Sequence, residues 1–317
     1  MKKIFLIYTG GTIGMMEHVV TGALESVNFD EALPNLHELI PLGIDINTYA
    51  FNPPVDSCDM DPSHWIELVR IIAENYEKYD GFVVLHGTDT MAYTASALTV
   101  MLEGLNKPVV LTGSQLPIGM RRTDGRNNLI TALEIAAAVD EEGHPRVPEV
   151  TIFFHDKLLR GCCTTKSNAD DFDAFRSFNY PPLADAAVDI VYHPEWIRPY
   201  DATAVLKPHY DVDCNMLVLS LFPGIQEQTV RSMLSIPGLR GVVLRTFGAG
   251  NAPSVEWLPR LLKEYVDKGL IIVDVTQCAG GNVALSRYAT GLNLQEAGVI
   301  SGGDSTVEAA LTKMMVL

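Results

Sequence analysis

Thr12 sits in Ile7-Tyr8-Thr9-Gly10-Gly11-Thr12-Ile13-Gly14, directly after the apolar run Ile4-Phe5-Leu6-Ile7. A threonine hydroxyl set among three glycines is sterically reachable, and it is a residue type that serves as nucleophile in acyl transfer. The run before it shows no polar alternation, so it reads as a strand buried on both faces, as in the middle of a parallel sheet. In open α/β sheets ligands bind beyond the carboxyl ends of the strands, where this loop would stand. Two other readings compete. The glycines lack the G-x-G-x-x-G spacing of a dinucleotide loop, and no Walker lysine follows. Thr12 as a turn residue that caps its own backbone stays open on local pattern alone.

A second loop repeats the arrangement. Leu85-His86-Gly87-Thr88-Asp89-Thr90-Met91 follows the apolar residues Phe82 to Leu85. Thr88 and Asp89 fall at the mouth of an expected helix, where free N–H groups and the helix dipole favour an anion. Asp89 or Thr90 could simply cap that helix, which leaves Thr88 unexplained. A third segment, Cys162-Cys163-Thr164-Thr165-Lys166-Ser167, carries a lysine beside two threonines. Such a lysine is ordinarily a solvated surface group, and it exchanges protons near neutral pH only when positioned and desolvated. A fourth, Pro53-Pro54-Val55-Asp56-Ser57-Cys58-Asp59-Met60, is a short polar loop in which Ser57 could hold a carboxylate.

The elements that must position these loops follow a βα alternation, the pattern of a mostly parallel sheet. Strands are expected at 81–85, 107–112, 150–154, 215–221, 239–244 and 269–273. Helices are expected at 62–79, 92–102, 127–140, 225–235 and 254–268. Residues 21–54 read as irregular, a lid or an ordinary connection, because Pro34, Pro41, Pro53 and Pro54 interrupt them. A second proline-rich stretch near 180–210 marks a boundary. The expected organisation is an α/β protein of two domains. Residues 1–185 would carry the loops on a larger parallel sheet, 186–210 would be a linker, and 211–317 would form a smaller α/β domain.

Composition narrows the function classes. The 317 residues, 47% hydrophobic and 20% charged, suit a globular protein with substantial cores. A formal charge of −16 argues against a nucleic-acid footprint. There is no apolar stretch of membrane-spanning length and no secretory h-region, so a cytoplasmic protein is expected. The 5 cysteines lack C-x-x-C spacing, which indicates neither a zinc site nor a disulfide framework.

The two threonine loops together resemble the paired signature motifs of the bacterial-type L-asparaginases. Asp56-Ser57-Cys58-Asp59-Met60, Thr112-Gly113-Ser114-Gln115, Thr165-Lys166 and Asn251-Ala252-Pro253 fall in the same family order. The resemblance covers essentially the whole chain, and Met91-Ala92-Tyr93-Thr94 is similar to the cytosolic type I branch. It implies hydrolysis of L-asparagine to L-aspartate and ammonia without metal or organic cofactor. Thr12 matches the nucleophile, and Thr88, Asp89 and Lys166 match the second catalytic group. Asp56, Ser57, Cys58, Thr88, Asp89 and Ser114 match substrate contacts.

One departure is plain. Relatives carry a tyrosine in the loop after the first motif, where this chain has Thr21-Gly22-Ala23-Leu24. Tyr288, matching a tyrosine of type I relatives, reads either as the substitute, reaching in from a partner subunit, or as a packed aromatic of the second domain. Relatives also carry a further helical tail after the segment that ends here at Leu317. Type I relatives form dimers or dimers of dimers, and some have a second asparagine site, which Arg245, Thr165, Asn251, Thr276 and Cys278 would match. The competing expectations are a broader glutaminase-asparaginase, the asparaginase-like subunit of a transfer-RNA amidotransferase, and a non-catalytic asparagine-binding regulator.

Overall fold

The structure, a computed structural model, describes residues 1–17, 24–26 and 43–317. It divides into two compact units, Met1–Tyr210 and Asp211–Leu317. Both are α/β, the first around a large, mostly parallel sheet and the second around a smaller, wholly parallel one.

The strands of the first unit are β1 (Lys2–Tyr8), β2 (Ile44–Ala50), β3 (Gly81–Leu85), β4 (Val109–Thr112), β5 (Val150–Phe154), β6 (Lys157–Arg160), β7 (Ala184–Ala186) and β8 (Ile190–Tyr192). They lie side by side in the order β8-β7-β6-β5-β4-β3-β1-β2. Pairing is parallel from β2 through β5 and antiparallel from β5 to β8. The helices are α1 (Pro62–Asn75), α2 (Met91–Met101) and α3 (Gly125–Ala137).

Unbroken apolar runs become the central strands because both faces are covered. Ile4, Leu6, Tyr8, Val83, Leu85 and Val110 share one core with Leu129, Ala132, Leu133 and Ala136 of α3. Their neighbours along each strand point the other way; there Phe5 stacks on Tyr79 and Phe82 on Tyr76, just beyond α1. Helix α1 begins as its sequence dictates. Asp61 caps it by accepting from Ser63 N at 2.7 Å, His64 Nδ1 accepts from Asp61 N, and Pro62 occupies the first turn.

Two stretches differ from expectation. Part of the irregular segment is the edge strand β2, whose Ile44, Ile46 and Ala50 pack on the core while intervening residues face outward. Within the expected linker, residues 190–192 form β8, and Lys207–Pro208 pair with Leu102–Glu103.

The second unit contains β9 (Met216–Ser220), α4 (Glu227–Leu234), β10 (Gly241–Thr246), α5 (Trp257–Val266), β11 (Ile271–Thr276), α6 (Ala289–Glu296), β12 (Ile300–Ser301) and α7 (Val307–Val316). Its strands run in chain order, with Leu219, Val242, Leu244 and Ile272 facing Val230, Leu258, Leu262 and Leu294. Val243 and Val275 face α7 through Ala310. No helix among the described residues is long and apolar enough to cross a membrane.

Candidate active site

Thr9 and two glycines gather three loops at the carboxyl ends of β1 and β3. Thr9 is fully buried; its N and Oγ1 both donate to Leu85 O, at 3.0 and 2.9 Å, and its carbonyl accepts from Val55 N at 2.7 Å. Gly10 and Gly11 have φ of +136° and +89°. A Cβ on Gly10 would overlap the backbone of Val55, and one on Gly11 would overlap the backbone of Gly87. Only glycine permits both the conformation and the approach. Thr12 follows at once, partly exposed, at the head of a short 3₁₀ turn (Thr12–Gly14) whose Ile13 is buried.

The second loop holds the best-defined polar geometry. Lys166 Nζ donates to Thr88 Oγ1 at 2.8 Å and to Asp89 Oδ1 at 2.7 Å. Thr88 Oγ1 in turn points at Gln115 Oε1, 3.4 Å away. Thr88 is buried and Asp89 exposed, so the ammonium bridges an inner hydroxyl and an outer carboxylate. Lys166 is carried on a small hairpin, Thr165–Lys166 against Phe175–Arg176, which is anchored where buried Phe175 meets Phe154. The surface-lysine reading of Lys166 thus gives way to a held position.

The loop from Asp56 to Met60 closes the same mouth. Asp56 Oδ1 accepts from Cys58 N at 3.1 Å and from the Cys58 thiol at 2.9 Å. These bonds, the thiol's foremost, hold the Asp56 carboxyl below its usual range. Ser57 is buried, and its Oγ lies 2.5 Å from where a Cβ on Gly87 would stand. Thr90 Oγ1 donates to Ser57 O at 2.6 Å and ties the two loops together. Ligand atoms of Asp56, Cys58 and Asp89 lie within 4.8 Å of one another. That set could take a cation, and with two carboxylates at an open mouth it equally suits an organic ammonium group.

His86 stiffens the second loop from beneath. Its ring is fully buried, with Nδ1 2.7 Å from Gly87 O and Nε2 2.8 Å from Thr94 Oγ1. A carbonyl can only accept, so Nδ1 carries the proton and Nε2 accepts from the Thr94 hydroxyl. Thr94 Oγ1 completes the chain by accepting from Trp65 Nε1 at 3.1 Å. Burial drives the imidazole pKa down to about 4 and keeps it neutral.

Not every expected site residue is placed alike. Ser114 is buried and its hydroxyl donates to Leu116 O at 2.6 Å, within its own turn. Ala23 lies outside the described residues. Tyr288 belongs to the second unit, 48% exposed at the head of α6 with Arg287 over its ring. Of the residues expected at a second site, Thr165 is in the first unit and the other four in the second. Arg245 lies on β10, opposite Val275, and its Nε is buried without a hydrogen bond among the described residues. Cys278 N donates to Thr276 Oγ1 at 3.0 Å, and Asn251 Oδ1 accepts from Thr290 at 3.0 Å.

Asp124 was not singled out in the sequence, and Gln115 stood there only within a motif, without a role. Gln115 faces Thr88, while Asp124 accepts from Gln115 N and Leu116 N at 3.0 to 3.2 Å. The available signal was Thr123-Asp124-Gly125 ahead of α3, a turn and cap pattern that says nothing of a distant loop.

Comparison with known proteins fits this architecture. The family model described as asparaginase, N-terminal, matches residues 3–198, and that described as glutaminase/asparaginase C-terminal domain matches 215–317. L-asparaginase 1 of Escherichia coli K12 is 43% identical over 321 aligned positions, covering 100% of this chain and 91% of that protein. A 60 kDa lysophospholipase of Mus musculus is 40% identical over 99% of this chain and 58% of its own length. The crystal structure of L-asparaginase I from Vibrio cholerae superposes with a TM-score of 0.89 at 40% identity, covering 99% of this chain and 92% of that one. Matches of that extent, running through both units, make the chain a member of the asparaginase family.

Proposed function

We propose that the chain is a cytoplasmic L-asparaginase of the type I branch, converting L-asparagine to L-aspartate and ammonia through an ester on Thr12. The observation that carries this reading is the sharing of Lys166 Nζ between Thr88 Oγ1 and Asp89 Oδ1. A hydroxyl polarised by an adjacent ammonium, itself fixed by a carboxylate, is a proton relay, and it adjoins the loop of Thr12. The names of the Escherichia coli and Vibrio cholerae relatives support the same substrate.

Thr12 Oγ1 attacks the side-chain amide carbon, its proton passes to the departing nitrogen, and ammonia leaves. Water then attacks the ester, and its proton passes by way of the Thr88 hydroxyl to Thr12 Oγ1 as the ester bond breaks and aspartate is released. Backbone N–H groups of the glycine-bearing loops stabilise the oxyanion, an effect of about 3–4 kcal/mol in comparable acyl-transfer sites. Ser57 and its loop receive the α-carboxylate, and Asp89 with Asp56 receives the α-ammonium. Assembly as a dimer or dimer of dimers, with Tyr288 reaching the site of a neighbouring copy, belongs to this reading.

The test is ammonia release from L-asparagine and L-glutamine by the wild type, Thr12→Ala and Thr88→Ala, with a lysophospholipid as third substrate. Turnover of asparagine that both variants abolish supports the reading. Asparagine binding without ammonia, or turnover of the lipid alone, overturns it.

A further inference from the structure

Cys162 and Cys163 lie together in the 3₁₀ turn Gly161–Cys163, which leads directly into Lys166. Both are partly exposed. The Cys163 side chain hydrogen-bonds that of Cys162, its neighbour in the same turn. Cys162 also lines a cavity of about 420 Å³ together with Glu149, Arg160, Tyr180 and Trp196. That hydrogen bond, aided by the Arg160 charge, brings the Cys162 thiol down to about 7 and favours its thiolate. A thiolate with a neighbouring thiol and room for a small reagent has the makings of an oxidant-sensitive pair. Nothing in the proposed amide hydrolysis uses it.

We propose that Cys162 and Cys163 are a modification site for hydroperoxides, closing to a vicinal disulfide that withdraws Lys166 from Thr88 and Asp89. The chemistry balances. The Cys162 thiolate attacks the O–O bond, takes one oxygen as a sulfenic acid and releases the alcohol, which carries away a proton. Cys163 sulfur then displaces the sulfenic hydroxyl, which leaves with the Cys163 proton as water. Two thiols and one hydroperoxide give one disulfide, one alcohol and one water.

Geometry makes the product a switch. Consecutive Cα atoms stand ~3.8 Å apart across a trans peptide, closer than the ~4.4–6.8 Å that an unstrained disulfide prefers. Closing the ring therefore distorts the turn. The turn's own bonds, Thr164 N to Gly161 O at 3.3 Å and Thr164 Oγ1 to Arg160 O at 2.7 Å, come directly before Thr165 and Lys166, so a distorted turn passes into the first strand of their hairpin. Strain in the ring also keeps the disulfide easily reduced, as regulatory disulfides are.

The inference about activity rests on the role proposed for Lys166. Its test treats the reduced full chain with hydrogen peroxide, follows intact mass and peptide mapping, and measures ammonia release before and after dithiothreitol. The expected result is loss of two hydrogens located to Cys162–Cys163, with an activity loss on the order of a hundredfold that dithiothreitol reverses. Cys163→Ser keeps basal turnover, gains a single oxygen at Cys162, and forms no crosslink; Cys162→Ala shows neither change. Absence of the crosslink overturns the inference, as does a crosslink that leaves activity intact or a reversible loss equally large in Cys163→Ser. Mass reads the crosslink whether or not ammonia is released, so an inactive wild type overturns the asparaginase reading alone.

Discussion

Gly11 and Gly87 meet backbone to backbone, although 76 positions separate them in sequence. That contact is what brings the loop of Thr12 against the loop of Thr88. A methyl group on Gly11 meets main chain, which cannot swing aside as a side-chain tip could, and φ of +89° is itself unfavourable for alanine. Gly11→Ala is therefore expected to lose roughly 2–4 kcal/mol of stability and nearly all turnover. Urea unfolding beside an ammonia assay checks it; a stable, active variant would show that the two loops need not touch.

The Lys166 bridge separates charge from hydrogen bonding in the relay. Lys166→Met removes both and leaves the buried Thr88 hydroxyl and the exposed Asp89 carboxylate uncoupled. Turnover should fall about 10²–10⁴-fold, with a smaller effect on KM. Thr88→Ser keeps an Oγ within reach of Lys166 and should retain much more activity than Thr88→Ala. Steady-state kinetics on the three variants decide it, and equal losses in Thr88→Ser and Thr88→Ala would remove the hydroxyl from the relay.

The central strands were legible because burial on both faces leaves short continuous apolar runs, which their length and the glycines or prolines beside them mark as strands. Residues 81–85 and 150–154 have the expected bounds. β2 was harder, since Ile44-Asp45-Ile46-Asn47-Thr48-Tyr49-Ala50 alternates as an edge strand does but is embedded among prolines. α6 was missed because Thr290, Gly291 and Asn293 are poor helix formers, and packing through Leu294 overrides that preference. The polar motifs gave Thr88, Asp89 and Lys166. Gln115, Asp124 and the Trp65–Thr94–His86 chain escaped because their contacts, some local and some between distant segments, are made by side chains with common local uses.

His86 predicts a specific acid sensitivity. Its folded-state pKa of about 4 lies below the ordinary histidine value of 6.5, so between these limits the unfolded chain binds a proton that the folded one refuses. Stability is thus fully present above pH 6.5 and falls as the pH drops towards 4, by on the order of 3 kcal/mol from this one residue. His86→Gln cannot titrate. Denaturant melts across this window should show a stability slope smaller by up to one proton in the variant, and an unchanged slope would mean that the ring takes up a proton in the native state.

Asp274 on β11 predicts the opposite trend for the second unit. Its carboxyl is fully buried; Oδ2 accepts from Thr246 Oγ1 at 3.1 Å, while Oδ1 has no hydrogen-bond partner among the described residues. Burial raises its pKa from 3.8 to about 7, so the folded unit holds a proton that the unfolded chain has released. Its contribution is intact below pH 3.8 and disappears as the pH rises through 7, a swing of about 4 kcal/mol if no rearrangement relieves the charge. Asp274→Asn does not ionise, but its amide places N–H donors where the carboxyl left one oxygen unpaired, at a cost of about 1–3 kcal/mol. That cost is the same at every pH, whereas the cost of the wild-type charge grows with pH. The wild type should therefore be the more stable at pH 4 and the variant at pH 8. Urea melts at the two pH values read the crossing directly; parallel curves would mean that Asp274 finds a partner for its charge when it ionises.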